Sequence, residues 1–117
     1  MFSLKWVEGR AGTGYFKFKL LESKRFKFDA YLLKYGKGAW IPTHTDPAIA
    51  GYRHYRLNIC LKRAYGGNFY AWHKEVWHWP FQRIVLFRPD VVPHLVEEVI
   101  KGTRYVLSIG WLIKERE

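Results

Sequence analysis

Residues 52–62, YRHYRLNICLK, alternate in character with a period of two: Leu57, Ile59 and Leu61 fall on one face, Arg56, Asn58 and Cys60 on the other. A strand needs this pattern, because successive side chains leave an extended chain on opposite sides. No apolar repeat of the helical kind runs for three turns anywhere in the chain. FKFKLL (16–21) alternates as well, and RFKFDAYLLKY (25–35) continues the style after a turn expected at Glu22-Ser23-Lys24. YGKG (35–38) is a break; AYGGNFYAW holds a Gly66-Gly67 turn and then a strand; RIVLFRP (83–89) is a short buried strand ended by Pro89. HLVEEVI and TRYVLSIGWLI follow, hinged at Lys101-Gly102. Seven or eight short strands with frequent turn signals predict an all-β sandwich or barrel, with at most a short helix in the first dozen residues. No repeat, linker or biased segment divides residues 1–117, so a single domain is expected.

Composition narrows the classes. Hydrophobic residues make up 49% and aromatics 19%, which excludes a disordered chain. Every apolar run is too short to span a bilayer, so no membrane partner is expected. The opening MFSLKWVEGR lacks the apolar stretch of a secretory signal, and one cysteine, Cys60, excludes an internal disulfide framework; both fit a cytoplasmic protein. The net charge of +10 favours anionic partners, nucleic acid first among them, or serves solubility alone. The Arg56, Asn58 and Cys60 face of strand 52–62 carries no acid, so it either meets solvent or lines a hollow that holds an anion.

The stretch IPTHTD (41–46) places His44 and Asp46 two residues apart, and an extended chain would aim both the same way. Pro42 and Pro47 each push the preceding residue towards extended geometry. A histidine and a carboxylate aimed together suit Fe(II), Mn(II) or Zn(II). Of His54, His73, His78 and His94 as a third ligand, His94 has the best context, because Pro93 fixes an extended approach and FRPD precedes it as a turn. Arg104 follows ten residues later, on what should be the next antiparallel strand. A metal could take one end of a bifunctional acid while the guanidinium takes the far carboxylate through two hydrogen bonds.

HTD (44–46), the Gly66-Gly67 turn, LFRPDVVPH (86–94) and VIKGTRYVLSIGW (99–111), in this order and spacing, resemble the Fe(II)/2-oxoglutarate-dependent oxygenases, in particular their prolyl-hydroxylase-like branch. The resemblance runs from about Tyr35 to Trp111. It implies a double-stranded β-helix, a jelly-roll or cupin-like barrel of two antiparallel sheets. It implies that His44, Asp46 and His94 form a facial triad for Fe(II), that 2-oxoglutarate and O2 fill the remaining positions, and that a substrate C–H bond is hydroxylated. Arg104 would clamp the C5 carboxylate of 2-oxoglutarate, with Ser108, Tyr35 and Asn58 lining the cosubstrate pocket; Cys60 would share that pocket, where the branch usually has a tyrosine. Many collagen-type relatives use lysine as the anchor, whereas Arg104 suits the hypoxia-type and dealkylase-type members. The chain lacks the long N-terminal helices that brace the main sheet in most relatives, leaving that sheet exposed or covered by a partner subunit.

The substrate expected is macromolecular, a protein side chain such as prolyl, or nucleic acid. The alternative is a non-catalytic barrel that binds metal or nucleic acid. Trp72, Trp77 and Trp79 read as core or rim packing, or as a stacking platform for bases. Lys17, Lys19, Lys24, Arg25 and Lys27 read as phosphate contacts or as guards of an edge strand. His54, His73 and His78 are not expected to be ligands, Glu97 and Glu98 read as a hairpin surface, and Val96 and Val99 as core.

Overall fold

The computed structural model describes residues 6–8, 13–46, 48–71, 74–79 and 83–114. The described residues form antiparallel strands and no helix. In chain order these are β1 (Val7–Glu8), β2 (Tyr15–Ser23), β3 (Phe28–Tyr35), β4 (Ile41–His44), β5 (Tyr52–Lys62), β6 (Tyr65–Gly66), β7 (Phe69–Ala71), β8 (Val76–His78), β9 (Ile84–Phe87), β10 (His94–Val96), β11 (Val99–Lys101) and β12 (Arg104–Lys114). A seven-stranded sheet runs β1-β2-β3-β12-β5-β9-β8, a three-stranded sheet β4-β10-β7, and a two-stranded ladder joins β11 to β6. No helix is long and apolar enough to cross a membrane. The helix expected in the first dozen residues falls mostly outside the described residues; within them, Val7–Glu8 is strand.

The expected strands form, with three corrections. The first hairpin turns at Lys24–Lys27 rather than at Glu22-Ser23-Lys24, because Ser23 Oγ accepts the Phe26 N–H at 3.1 Å and Lys27 takes a left-handed φ of 54°. Glu97 and Glu98 are not a hairpin surface: β10 pairs with β4 and β7, whereas β11 pairs with β6, so the two glutamates mark where the chain changes sheets. Arg104 does not lie on the neighbour of His94's strand, because β12 pairs with β3 and β5 in the seven-stranded sheet.

Two buried apolar clusters hold the sheets. One gathers Tyr15, Tyr35, Ala39, Ile41, Val96, Val99 and Val106; the other gathers Ala71, Val85, Phe87 and Val92. Val96 and Val99 are core, as expected. The outer face of the large sheet is apolar in register: Phe18, Leu32, Leu107, Ile59 and Ile84 pair successively across five strands, all half-buried. Trp77 and Trp79 are exposed rather than core, and Trp72 lies outside the described residues.

Strand register also orders the inner face. One row runs Tyr15, Tyr35, Arg104; a second Lys19, Tyr31, Ser108, Asn58, Val85; a third Asp29, Gly110, Arg56, Phe87. The polar face of 52–62 therefore does line a hollow: Arg56 and Asn58 border a cavity of about 460 Å³ together with His44, Asp46, His94 and Arg104.

Candidate metal centre and anion-binding cavity

His44 ends β4, and His94 begins β10 directly opposite it in register. This pairing brings the two rings to a centroid separation of 4.2 Å. Asp46 lies two residues beyond His44, its backbone N–H held by the Pro89 carbonyl at 2.7 Å. The carboxylate then reaches both rings, with Oδ1 3.6 Å from His44 Nε2 and Oδ2 3.4 Å from His94 Nε2. One ligand atom from each of the three residues lies within 4.8 Å of the others. A single cation could be held from one side by this set of two imidazoles and a carboxylate, the donor chemistry that suits non-haem iron.

The rings are oriented by the backbone. His44 Nδ1 lies 2.7 Å from the Pro42 carbonyl and His94 Nδ1 2.8 Å from the Val92 carbonyl. A carbonyl only accepts, so each Nδ1 carries a proton, and Nε2 is the ring nitrogen turned towards Asp46. Such contacts fix the tautomer and aim of metal-binding histidines. Beneath the group, Phe87 packs edge-on against His94 at 5.0 Å and Phe69 lies at 5.9 Å, while His94 is 6% exposed. Asp46 is the open side of the group, with a side chain 44% exposed.

Arg104 lines the same cavity. Its guanidinium carbon lies 5.6 Å from the ring centroid of Tyr35, the residue opposite it in register. Among the described residues no carboxylate pairs with it. A ring face supplies about 0.5–2 kcal/mol to a cation, whereas withdrawing an unpaired charge from water costs several kcal/mol. A half-buried arginine held in this way has guanidinium N–H groups to offer an anion. Tyr35 is almost fully buried and stacks on Tyr15 at 5.3 Å; burial pushes its phenol well above the usual range, an effect Arg104 partly offsets, so the hydroxyl is a neutral donor. The Gly66-Gly67 turn sits against this end, both residues at positive φ, and a Cβ on Gly67 would crowd Val99.

Ser108 and Asn58 line the cavity too. Ser108 is buried and accepts a hydrogen bond from Arg56 Nη1 at 2.8 Å. Its own O–H proton is left to donate into the cavity. Asn58 Oδ1 is buried with no hydrogen-bond partner among the described residues, an orphan acceptor that asks for a donor from a ligand or water. Cys60 departs from expectation: the buried thiol lines a second cavity, bordered by Arg63, Asn68, His78 and Arg104, and lies 3.4 Å from the Lys62 carbonyl. The bulge that pairs Tyr105 with Lys62 and Val106 with Cys60 shifts this end of β5 out of the simple alternation.

Three residues of the site were not singled out from the sequence as a group. Arg56 grips Asp29 with Nη2 at 2.8 and 3.1 Å while holding Ser108. The guanidinium lies over Gly110, where a Cβ would run into it. Gly110 inside the aliphatic run YVLSIGWLI was the available signal, since glycine within a strand marks a close approach. His54 borders the same corner; burial first, and the Arg56 charge second, push its imidazole below the ordinary range, so it is neutral near pH 7. His54 and His78 stand outside the metal group, and His73 lies outside the described residues.

No family model matches the chain, and a search of curated proteins finds no match.

Proposed function

We propose that this chain is an Fe(II)- and 2-oxoglutarate-dependent oxygenase that hydroxylates a C–H bond of a macromolecular substrate. The observation that carries the reading is that one cavity holds both a His-Asp-His group and a guanidinium that, among the described residues, has no carboxylate of its own. His44, Asp46 and His94 would hold the ferrous ion. When bound, it supplies the activation of O2 that couples decarboxylation of 2-oxoglutarate to hydroxylation, so that the cosubstrate, O2 and R–H become succinate, CO2 and R–OH. The chain's own residues bind and orient. Arg104 takes the distal carboxylate with a bidentate, charge-assisted bond, and Tyr35 supports the guanidinium from below. Ser108, turned by Arg56, donates to the cosubstrate, and Asn58 supplies a second polar contact on the same wall. Phe69 and Phe87 keep water from the inner side of the histidines.

The reading includes the architecture. A seven-stranded sheet and a three-stranded sheet that together line one cavity are what a double-stranded β-helix supplies, with ligands on one sheet and the anion anchor on the other. A reducing cytoplasm suits both a ferrous site and the free thiol of Cys60.

The test is succinate production with Fe(II), 2-oxoglutarate and O2 and no added substrate. Uncoupled turnover is expected from the wild-type protein and not from Asp46→Ala. Equal background in both removes the proposal and leaves a non-catalytic barrel, which would retain affinity for anions after His44→Ala.

A further inference from the structure

We infer that the first hairpin and the lobe beneath it form a binding surface for single-stranded nucleic acid, which feeds one nucleotide towards the His-Asp-His group. The inference deepens the oxygenase reading by naming the class of its substrate, and rests on that reading only for what happens at the metal.

The main cavity shares Asp29 and His54 with an adjoining lobe of about 370 Å³. Phe28, Ile49, Trp111 and Leu112 give it apolar lining, and Lys24 and Lys27 border it beside Glu22, Asp29 and His54. The two carboxylates at this border are each held by a cation of their own: Glu22 by Lys19 at 3.4 Å and Asp29 by Arg56 at 2.8 Å. The rim therefore stays positive. Above it the hairpin tip presents Lys24, Arg25, Phe26 and Lys27 in succession. Phe26 is 68% exposed, with the Arg25 guanidinium carbon 5.4 Å from its ring centroid. Lys27 lies 5.4 Å from the ring of Tyr52.

The tip is built rather than frayed. Ser23 Oγ caps the Phe26 N–H, Lys27 occupies a left-handed conformation that costs a non-glycine residue, and its carbonyl accepts the Leu112 N–H at 3.0 Å. An exposed ring on a fixed turn has no folding role in which to bury its face. A base offers a face to stack on it while the neighbouring cations take phosphates, the arrangement by which single strands are held without sequence preference. An acidic peptide would use the cations and gain little from the ring. A duplex would hide its base faces and could not deliver a carbon to an enclosed site without extruding a nucleotide.

The test is fluorescence anisotropy on metal-free full-length protein with a labelled single-stranded oligodeoxynucleotide, the same sequence as duplex, and a glutamate-rich peptide of equal charge. The single strand is expected to bind best. Phe26→Ala should weaken it about tenfold, and the double variant Lys24→Gln, Arg25→Gln should lower the salt slope by about 1.4. All three positions are on the exposed turn, and thermal melting confirms that the variants fold. Unchanged binding by Phe26→Ala, or equal or tighter binding of the duplex or the peptide, overturns the inference. Because no metal is present, that result leaves the oxygenase reading intact; wild-type protein that binds the oligonucleotide but shows no uncoupled turnover above Asp46→Ala removes the oxygenase and leaves this surface standing.

Discussion

His44 and His94 face each other across one antiparallel pairing, and each is bonded through Nδ1 to the carbonyl two residues before it in the chain. Pro42 supplies one of these carbonyls and Val92, just before Pro93, the other. The same local device appears on both strands, and it points two Nε2 atoms at a shared carboxylate.

A divalent ion should therefore bind with all three residues contributing. Titration with Co(II), followed by its visible absorption, is expected to show one site in the wild-type protein. His44→Ala, Asp46→Ala or His94→Ala should each weaken it by about a hundredfold or more, since even outer partners of metal ligands contribute about 10–100-fold. At a metal concentration about a hundred times Kd, binding should add about 2.7 kcal/mol of stability, lost on chelation and absent in Asp46→Ala. Equal melting of the wild type with and without the ion contradicts this.

Arg104 should behave as a ligand anchor and not as a structural cation. Arg104→Met is expected to abolish the stabilisation by 2-oxoglutarate, a loss of about 2–5 kcal/mol of binding. In the absence of the acid it should leave the melting temperature unchanged or raised, because a charge without a carboxylate is removed from a half-buried position. A large fall in melting temperature without ligand would mean that Arg104 serves the fold.

Gly110 and Arg56 should be coupled. Gly110→Ala forces the guanidinium off its bed and should cost about 1–3 kcal/mol by urea denaturation, as overpacking does. In Arg56→Ala the same glycine change should cost much less, because nothing then occupies the space. Additive costs would show that the two residues do not meet in solution.

His54 gives a pH dependence of known sign. Its folded-state pKa lies below the ordinary value of 6.5, so the unfolded chain binds more protons between the two. Stability from this group is fully present above 6.5 and falls as pH drops from 6.5 towards the lowered value, below which the contribution is flat. His54→Gln should lose less stability than the wild type between pH 7 and 5 in paired urea titrations, and parallel curves would exclude the effect.

The alternation in 16–21 and 52–62 determined extended strands, because extended geometry fixes side-chain direction at a period of two whatever the strand packs against. The two-residue spacing kept Asp46 within reach of His44, although Asp46 lies beyond the end of β4, where the Pro89 carbonyl holds its backbone N–H. Only tertiary structure decided that β4 and β10 pair, which is what brings His94 to them, since the partner of a strand depends on the whole sheet and not on its own residues. Likewise only register laid Arg56 over Gly110 between Asp29 and Ser108, and only the bulge at Tyr105 put Cys60 behind Arg104, because a contact between residues tens of positions apart leaves no periodic mark in a sequence.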